Sequence, residues 1–600
     1  MMEYDAILQY LGDFGPFQRR TALLLVLGSM QTGLHIAVMT FIGAIPIHHC
    51  RVTETGVSAY NTTWPDALNF SIPMEEVGGT WRLSSCRKYT REIISGNFTT
   101  MECPEDSKQG TTTTVGCKSG WDYRNRSTTG CTEGWEYDRS QYHSSVVMKY
   151  DLVCERAWLR ELAQSMFMAG VATGGIVFGV LSDRYGRHRT LLVCVLLLVT
   201  CGTGLAFTSN LAVFIALRFV LGAAQNGLQY TTLVTGMETI GISWRMAFGI
   251  CTALAPSVGY ALLGSLAYVI REWWILQLAV TSPGVLSLIA WWFIPESPRW
   301  LLMNNRVEQW RKTIQRIAEY NGIDLPPFYE YVESSTVHIG STEEVDGIPG
   351  DSKRNYNLID LVRTQNMRKI TVMITIASFN TICVYVGLLF GTSQLAGSHY
   401  VTFILGACVE AVAILLAGMT MRRWGRKRSA VGFSLLAGVS CAATAGVPND
   451  LGHVATALAT AGRFGVSSTV AVLDIYCTEL FPTVVRYMGV GTNIMVSRAG
   501  GIVAPFLSLL GNAWRPLPLL TLGVLSCVTS VVVTVLPETH GVPLPNTLQD
   551  GENFGRTSPP SPTCKSNCAA GTIPKKTLVD GRIVYEDRAQ YEWLELVTTV

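Results

Sequence analysis

Charged residues are scarce in this chain. Asp, Glu, Lys and Arg together make up 15% of its 600 residues, whereas soluble proteins carry roughly 25%. Hydrophobic residues reach 48%, and they fall in blocks of about 20 residues, the length that crosses a bilayer core of about 30 Å. The composition therefore excludes a soluble multidomain protein and predicts a polytopic membrane protein.

Several chemical signatures are also missing. The net charge is only +2, so no strong field favours nucleic acid. The polar segments hold no nucleotide-binding motif, no nucleophile arrangement, and no C-x-x-C pair or histidine cluster of the kind that binds zinc. We therefore expect that the protein is not an enzyme and that it has no cofactor and no metal site. Whether it uses a coupling ion, sodium or proton, is not decided by the sequence.

Cysteines and glycosylation acceptors concentrate in one polar segment, residues 48–157. Chance would scatter the acceptors over every loop, so their confinement predicts an extracellular, glycosylated loop with three disulfides. Six cysteines allow fifteen pairings, and the sequence does not choose among them. The residues concerned are Cys50, Cys86, Cys103, Cys117, Cys131 and Cys154, with Asn61, Asn69, Asn97 and Asn125.

The apolar blocks predict twelve spans in two sets of six. Arginine and lysine cluster in alternate short loops, which assigns those loops and both termini to the cytoplasm. The predicted parts are the N-terminus 1–20, an N-terminal bundle 21–294, a central cytoplasmic loop 295–369, a C-terminal bundle 370–536 and a mostly disordered tail 537–600. Within the central loop, apolar residues at helical spacing over 300–320 predict an amphipathic interfacial helix.

The two halves repeat in detail. Internal duplication of this kind is typical of transporters that rock two bundles about a site near the membrane midplane. The matching elements are 295–299 with 537–541, Arg218 with Arg463, and Glu238 and Arg245 with Glu479 and Arg486.

A glycine-rich basic stretch, 179–189, separates the second and third spans. We predict a tight loop, because Gly179 and Gly186 permit a sharp reversal and Asp183 can cap a helix or pair with an arginine. A partial copy follows the eighth span, with Arg422 in place of the acid. The stretch resembles the loop signature of the major facilitator superfamily; a basic loop that only sets topology is the alternative.

Four further features are similar to the organic ion transporter family, solute carrier family 22. They are the opening segment 11–19, the six-cysteine loop, the segment 295–301 and the segment 479–486. The resemblance implies an all-α membrane protein with the major facilitator fold, twelve transmembrane helices in two six-helix bundles and a large disulfide-bonded extracellular loop. It also implies a plasma-membrane transporter with alternating access, nearer the anion and carnitine-zwitterion branches than the cation branch.

Ionisable groups inside spans are costly and are therefore functional candidates. Glu410, Asp474 and Arg498 lie in the eighth, tenth and eleventh spans, and we place Arg218 and Arg463 nearer the cytoplasmic halves of the fourth and tenth. In the family, anion and carnitine members carry arginine at the position of Arg498. A guanidinium binds a carboxylate bidentately, so Arg498 is predicted to bind the substrate's anionic group; a structural pair with Asp474 or Glu410 is the alternative.

Glu410 in the eighth span favours a zwitterion over a simple anion. Many anion members add a basic residue four positions later, where this chain has Ile414. Glu410 would face a quaternary ammonium or the coupling cation, beside the aromatic faces of Tyr385 and Tyr230. Further candidates for the cavity lining, which could equally join helices, are Asn226, Gln229 and Asn380.

The predicted function is transport of small organic anions or zwitterions, such as carnitine-like compounds, urate or nicotinate. An organic cation transporter and a non-transporting surface glycoprotein are the alternatives. At the C-terminus, Thr598 and Val600 suit strand addition in a PDZ groove.

Family analogy also predicts an inner gate of charged residues at the cytoplasmic ends of the spans. Exposed pairs contribute about 0–1 kcal/mol each, so they act by biasing two conformations that lie close in energy. The predicted gating residues are Gly179, Asp183, Arg184, Gly186, Arg187, Glu238, Arg245, Arg299, Glu479 and Arg486.

Asp183→Asn tests the gate. Loss of the negative charge should lower the transport rate more than the amount of protein at the cell surface, because it shifts the balance between two conformations. Uptake normalised to surface biotinylation measures both quantities. An equal fall in rate and surface expression would instead indicate a folding role.

Overall fold

Twelve long helices dominate the computed structural model. They are α1 (Pro16–Ala37), α2 (Trp158–Tyr185), α3 (Arg187–Phe207), α4 (Leu211–Thr239), α5 (Ile242–Val269), α6 (Trp273–Trp291), α7 (Gln365–Gly391), α8 (His399–Trp424), α9 (Arg426–Ala445), α10 (Gly452–Leu480), α11 (Arg486–Leu507) and α12 (Leu517–Thr534). The structure describes residues 7–51, 72–77, 80–89, 127–324, 359–391, 398–448, 451–512, 514, 516–542, 544–545, 547–555, 578–579 and 582–583.

Eleven of these helices are long and apolar enough to cross a membrane by length and composition. The exception is α10, which is 29 residues long. It carries Arg463 and Asp474 and is rich in glycine, alanine, serine and threonine, so its mean hydropathy is low. The buried Arg463 is tolerated inside the bundle because a neighbouring helix supplies its partner.

Small residues bring the helices of each half close together. A methyl group added at Gly170 of α2 would lie 2.0 Å from the carbonyl oxygen of Phe219 in α4. In the second half, a methyl group at Gly500 of α11 would lie 2.3 Å from the carbonyl oxygen of Phe379 in α7. Close backbone approach through glycine is the usual way in which membrane helices pack.

The bundle has two ends, which we name by what they carry. The loop face is the end where α1 finishes and α2 begins, and it carries the segment between them. The terminal face is the opposite end, where α1 begins and α2 and α3 meet. Alternate helices therefore start at alternate faces, which fixes the depth of every side chain discussed below.

The loop-face segment contains short antiparallel strand pairs. β1 (His48–Cys50) pairs with β6 (Trp135–Tyr137), β2 (Met74–Val77) with β3 (Thr80–Leu83), and β4 (Arg87–Tyr89) with β5 (Thr128–Gly130). Two disulfides join described residues of this segment: Cys50–Cys131 links the end of β1 to the residue after β5, and Cys86–Cys154 links the residue before β4 to the turn before α2. Cys103, Cys117 and the acceptors Asn61, Asn69, Asn97 and Asn125 lie outside the described residues.

The central segment contains the predicted amphipathic helix as two pieces, Pro298–Met303 and Val307–Asn321. Trp310, Ile314 and Ile317 are buried against Leu11 and Phe17 of the N-terminus. The apolar face is therefore covered by the chain itself at the terminal face.

The C-terminal region has little regular structure among its described residues. A helix, Leu548–Asn553, starts at a capping box formed by Thr547 and Asp550. Further on, β7 (Leu578–Val579) pairs with β8 (Arg582–Ile583). The predicted PDZ ligand, Thr598 to Val600, lies outside the described residues.

The predicted tight loop at 179–189 is shorter than the sequence suggested. α2 continues through Tyr185, and Gly186 alone joins it to α3. Gly186 has φ of +103°, a region open mainly to glycine. Glu296 lies against it, and its Oε1 accepts the backbone N–H groups of Arg187 and His188 at 2.7 and 3.2 Å.

Gly186→Ala should destabilise the protein. Its methyl group would lie 2.3 Å from Glu296 Oε2, and the backbone conformation of Gly186, φ 103° and ψ 158°, adds about 1–3 kcal/mol of its own. Gly179→Ala is the matched control, since a methyl group there meets no atom within 4 Å. Thermal unfolding in detergent should show a lower midpoint for Gly186→Ala alone; equal midpoints would contradict this account of the turn.

Candidate functional site

Five ionisable side chains lie inside the spans that the sequence singled out. α4 carries Arg218, α8 carries Glu410, α10 carries Arg463 and Asp474, and α11 carries Arg498. They separate into three groups with different partners and different exposure. Each group is described from its contacts.

Glu410 is neutralised within the second half. It is only 5% exposed, and its Oε2 accepts a hydrogen bond from Arg463 Nη2 at 3.0 Å. Its other oxygen accepts the hydroxyl of Tyr385 at 2.8 Å. That hydroxyl lies 3.2 Å from the hydroxyl of Tyr260 in α5, so this network joins the two halves.

Arg498 belongs to a second, more accessible group. Its guanidinium interacts electrostatically with Tyr230 of α4 and with Asp474. Asp474 is exposed and Arg498 is half-buried, whereas Glu410 is buried. Because Tyr230 lies in the first half and Arg498 in the second, this charged pair lies where the halves meet and remains open to a ligand.

The predicted polar lining residues mainly join helices. Asn226 donates to the carbonyl of Val171 at 2.7 Å, which ties α4 to α2. Gln229 accepts from Thr32 at 2.8 Å, which ties α4 to α1. Asn380 is buried in α7.

Arg218 and Arg463 lie nearer the loop face than predicted. The expectation placed them in the cytoplasmic halves of their helices, but α4 and α10 both start at the loop face, and Arg218 and Arg463 fall in their first halves. The error came from helix direction, since the fourth and tenth spans run from the loop face to the terminal face. Both side chains are buried in the core of their own half.

Sequence reasoning missed the partner of Arg218. Its Nη2 donates to Gln164 Oε1 of α2 at 2.6 Å. Gln164 precedes Arg218 by 54 residues, and Glu410 precedes Arg463 by 53. The internal repeat could have revealed this correspondence, which places Gln164 where the second half has an acid.

A charge network at the terminal face surrounds the α2–α3 turn. Arg187 Nε donates to Glu238 at 3.1 Å, and its Nη2 lies 3.0 Å from Asp183. Glu296 caps the start of α3 through backbone N–H groups. Burial raises the pKa of Glu296, while those N–H groups and Arg187 oppose the shift.

The second half repeats this network. Arg426 Nη2 donates to Glu479 at 2.8 Å, and Glu538 accepts the backbone N–H of Arg426 at 2.9 Å. Gly425, like Gly186, has a positive φ, of +87°. Arg426, Glu296 and Glu538 were absent from the predicted gate, although the repeated Pro-Glu segments marked both glutamates.

The remaining predicted gate residues also lie at the terminal face. Arg245 and Arg486 donate Nε to the carbonyls of Ile240 and Phe481, at 3.2 and 3.1 Å. Arg184 lies over the ring of its neighbour Tyr185. Arg299 lies in the first turn of the helix that starts at Pro298.

At the loop face the halves touch through aromatic side chains. Phe41 stacks on Tyr400 at 5.7 Å and meets Phe403 edge-on at 5.0 Å. Ser165 of α2 donates to the carbonyl of Ile502 in α11 at 2.7 Å. These contacts hold the halves together on this side of the charged groups.

Several known proteins are similar to this chain in sequence. The family described as "Sugar (and other) transporter" matches residues 98–548. The "Organic cation transporter protein" of Drosophila melanogaster is 33% identical over 97% of this chain and 100% of its own length. The human "Organic cation/carnitine transporter 2" is 34% identical over 91% of this chain and 94% of its own length.

A solved structure supports the fold. The xylose transporter of E. coli, in a partially occluded inward-open conformation, aligns with a TM-score of 0.54 and 15% identity, over 88% of this chain and 100% of its own. The long similarity to curated relatives and the shared fold agree with the duplicated twelve-helix architecture. The chain therefore belongs to the organic ion transporter family, solute carrier family 22 of the major facilitator superfamily, and it is a multi-pass membrane transporter, not an enzyme.

Proposed function

We propose that this transporter moves small organic zwitterions or anions across the plasma membrane by alternating access, with Arg498 binding the substrate's carboxylate. The observation that carries the proposal is the position of Arg498 where the halves meet, half-buried and in electrostatic contact with Tyr230 of the other half. A fixed guanidinium there offers a bidentate partner to a carboxylate. Carnitine-like compounds, urate and nicotinate have the required chemistry.

Asp474 is the better partner for the cationic end of a zwitterion. The sequence favoured Glu410, but Arg463 and Tyr385 already engage both of its oxygens. Asp474 is exposed and interacts electrostatically with Arg498. A zwitterion would insert its two charges at this pair, and the ring of Tyr230 beside Arg498 offers an aromatic face for an ammonium group.

The transport cycle separates and rejoins the halves. In this structure Phe41, Tyr400 and Phe403 hold them together at the loop face. Each terminal-face ion pair, Arg187 with Glu238 and Arg426 with Glu479, lies within one half. Such pairs keep each half rigid while the interface between halves rearranges.

An organic cation transporter is the second candidate. Asp474 is an accessible acid inside the bundle, which suits a cation without a carboxylate. The two relatives described above carry "organic cation" in their names, and one also carries "carnitine". The non-transporting glycoprotein of the sequence analysis predicts no saturable uptake of any solute.

The proposal extends to topology and partners. Both termini lie in the cytoplasm, and the loop between α1 and α2 is extracellular and glycosylated. A PDZ protein binds the C-terminus, and sodium or protons serve as coupling ion where uptake depends on them. Uptake with and without sodium, at two pH values, separates the coupling modes.

Arg498→Ala tests the carboxylate anchor. Loss of a charge-assisted hydrogen-bonding partner should lower uptake of a labelled monocarboxylate and of carnitine about tenfold or more. Arg368→Ala is the control, because Arg368 is exposed in the first turns of α7. Unchanged carboxylate uptake in Arg498→Ala would remove this residue as the anchor.

Asp474→Asn completes that experiment by separating substrate classes. It should lower uptake of carnitine and of a quaternary ammonium while sparing the monocarboxylate. If only the quaternary ammonium is transported by the wild type, the cation candidate replaces the zwitterion.

Tyr385→Phe and Tyr260→Phe test the link between the halves. Tyr385→Phe removes a donor from buried Glu410 and the bond to Tyr260, whereas Tyr260→Phe removes only the second. Maximal uptake rates should fall about two- to tenfold in Tyr260→Phe and further in Tyr385→Phe. Initial rates at saturating substrate, normalised to surface protein, measure this; equal rates in wild type and both variants would contradict it.

A further inference from the structure

The core of the first half contains a buried cation that has no acidic partner among the described residues. Arg218 is 0% exposed, and its guanidinium lies 4.4 Å from the ring centre of Phe167. Its Nη2 donates to the neutral side chain of Gln164. Nε and Nη1 have no acceptor, and no carboxylate among the described residues forms an ion pair with it.

The groups around Arg218 mostly offer hydrogen-bond donors. Gln164 Nε2 is buried without an acceptor. His35 of α1 is 0% exposed, neither ring nitrogen has a partner, and the ring interacts electrostatically with Arg218. A neutral imidazole donates from one nitrogen. The cluster therefore presents N–H groups from three helices, α1, α2 and α4, and it lacks a counter-charge.

The second half shows what is missing. Arg463 occupies the matching place in α10, and there the residue that accepts from Nη2 is the carboxylate of Glu410 at 3.0 Å. Both arginines leave Nε and Nη1 without an acceptor among the described residues, and the residue that accepts from Nη2 differs by one isosteric exchange, glutamine for glutamate. Arg463 is neutralised by Glu410, whereas Arg218 has no carboxylate partner among the described residues. An uncompensated charge inside a membrane span is costly.

We propose that a small anion, either chloride or the carboxylate group of an organic acid, binds at Arg218, beside Gln164 and near His35. The anion would accept from Arg218 Nε or Nη1 and supply the charge that Glu410 supplies in the other half. This site is separate from Arg498, because it lies in the core of the first half. It is independent of which substrate the protein carries.

Thermal unfolding of the purified full-length protein tests the site without measuring transport. Chloride and acetate are the probes, each raised from 1 to 100 mM at constant ionic strength against bulky gluconate. A ligand that binds only the folded state raises its stability with concentration, so the wild-type midpoint should rise by about 3 °C. A rise with chloride alone identifies a halide site, and a rise with acetate identifies a carboxylate site.

Two reciprocal variants make the test specific. Gln164→Glu places an internal carboxylate on Arg218, as in the second half, and should raise the midpoint at low anion concentration and abolish the dependence. Glu410→Gln removes the carboxylate from Arg463 and should add a second dependence on the same anions. Should Glu410→Gln fail to fold, Gln164→Glu alone decides the matter.

The same anion dependence in Gln164→Glu as in the wild type, or no dependence in the wild type, would overturn the proposal. Neither result bears on whether Arg498 binds substrate. Conversely, failure of the Arg498 uptake experiment leaves the anion-dependent midpoint untouched.

Discussion

A guanidinium inside a membrane span must find an acceptor, because the hydrocarbon offers neither water nor counter-ion. This constraint organises the interior of the protein. Arg463 finds Glu410, which also engages Tyr385 and, through it, Tyr260 in the other half. Arg498 reaches Tyr230 and Asp474. The need of each guanidinium for an acceptor thus fixes the relative positions of the helices. It also places polar side chains where the halves meet.

The two halves share the same turn at the terminal face, but their buried arginines have different partners. At the terminal face, a glycine with positive φ, a capping glutamate and an arginine–glutamate pair recur around Gly186 and Gly425. In the core, the acceptor for the matched arginines is Gln164 in one half and Glu410 in the other. The two halves therefore share the turn, whereas the partner of the interior arginine is neutral in one half and acidic in the other.

Much of the fold could be predicted because it follows from solvation and length. Blocks of about 20 apolar residues must span a bilayer, and the structure has the twelve long helices that these blocks predict. The α2–α3 turn was harder, because Asp183, Arg184 and Tyr185 look like a loop by polarity while the backbone remains helical to Gly186. The depth of Arg218 was misjudged because depth depends on helix direction as well as position along the sequence.

By itself the sequence determined the twelve spans, the duplication and the residues that carry charge in the membrane, since hydropathy and repetition are properties of the chain alone. Only the tertiary structure decided the partners. Glu410 forms an ion pair with Arg463, which lies on another helix more than 50 residues further along the chain. Glu410, which the sequence analysis had assigned to the substrate, is therefore already paired. Asp474 and Arg498 remain accessible because of how α10 and α11 pack. Pairing depends on which helix faces meet, and that is decided by side-chain packing between distant segments.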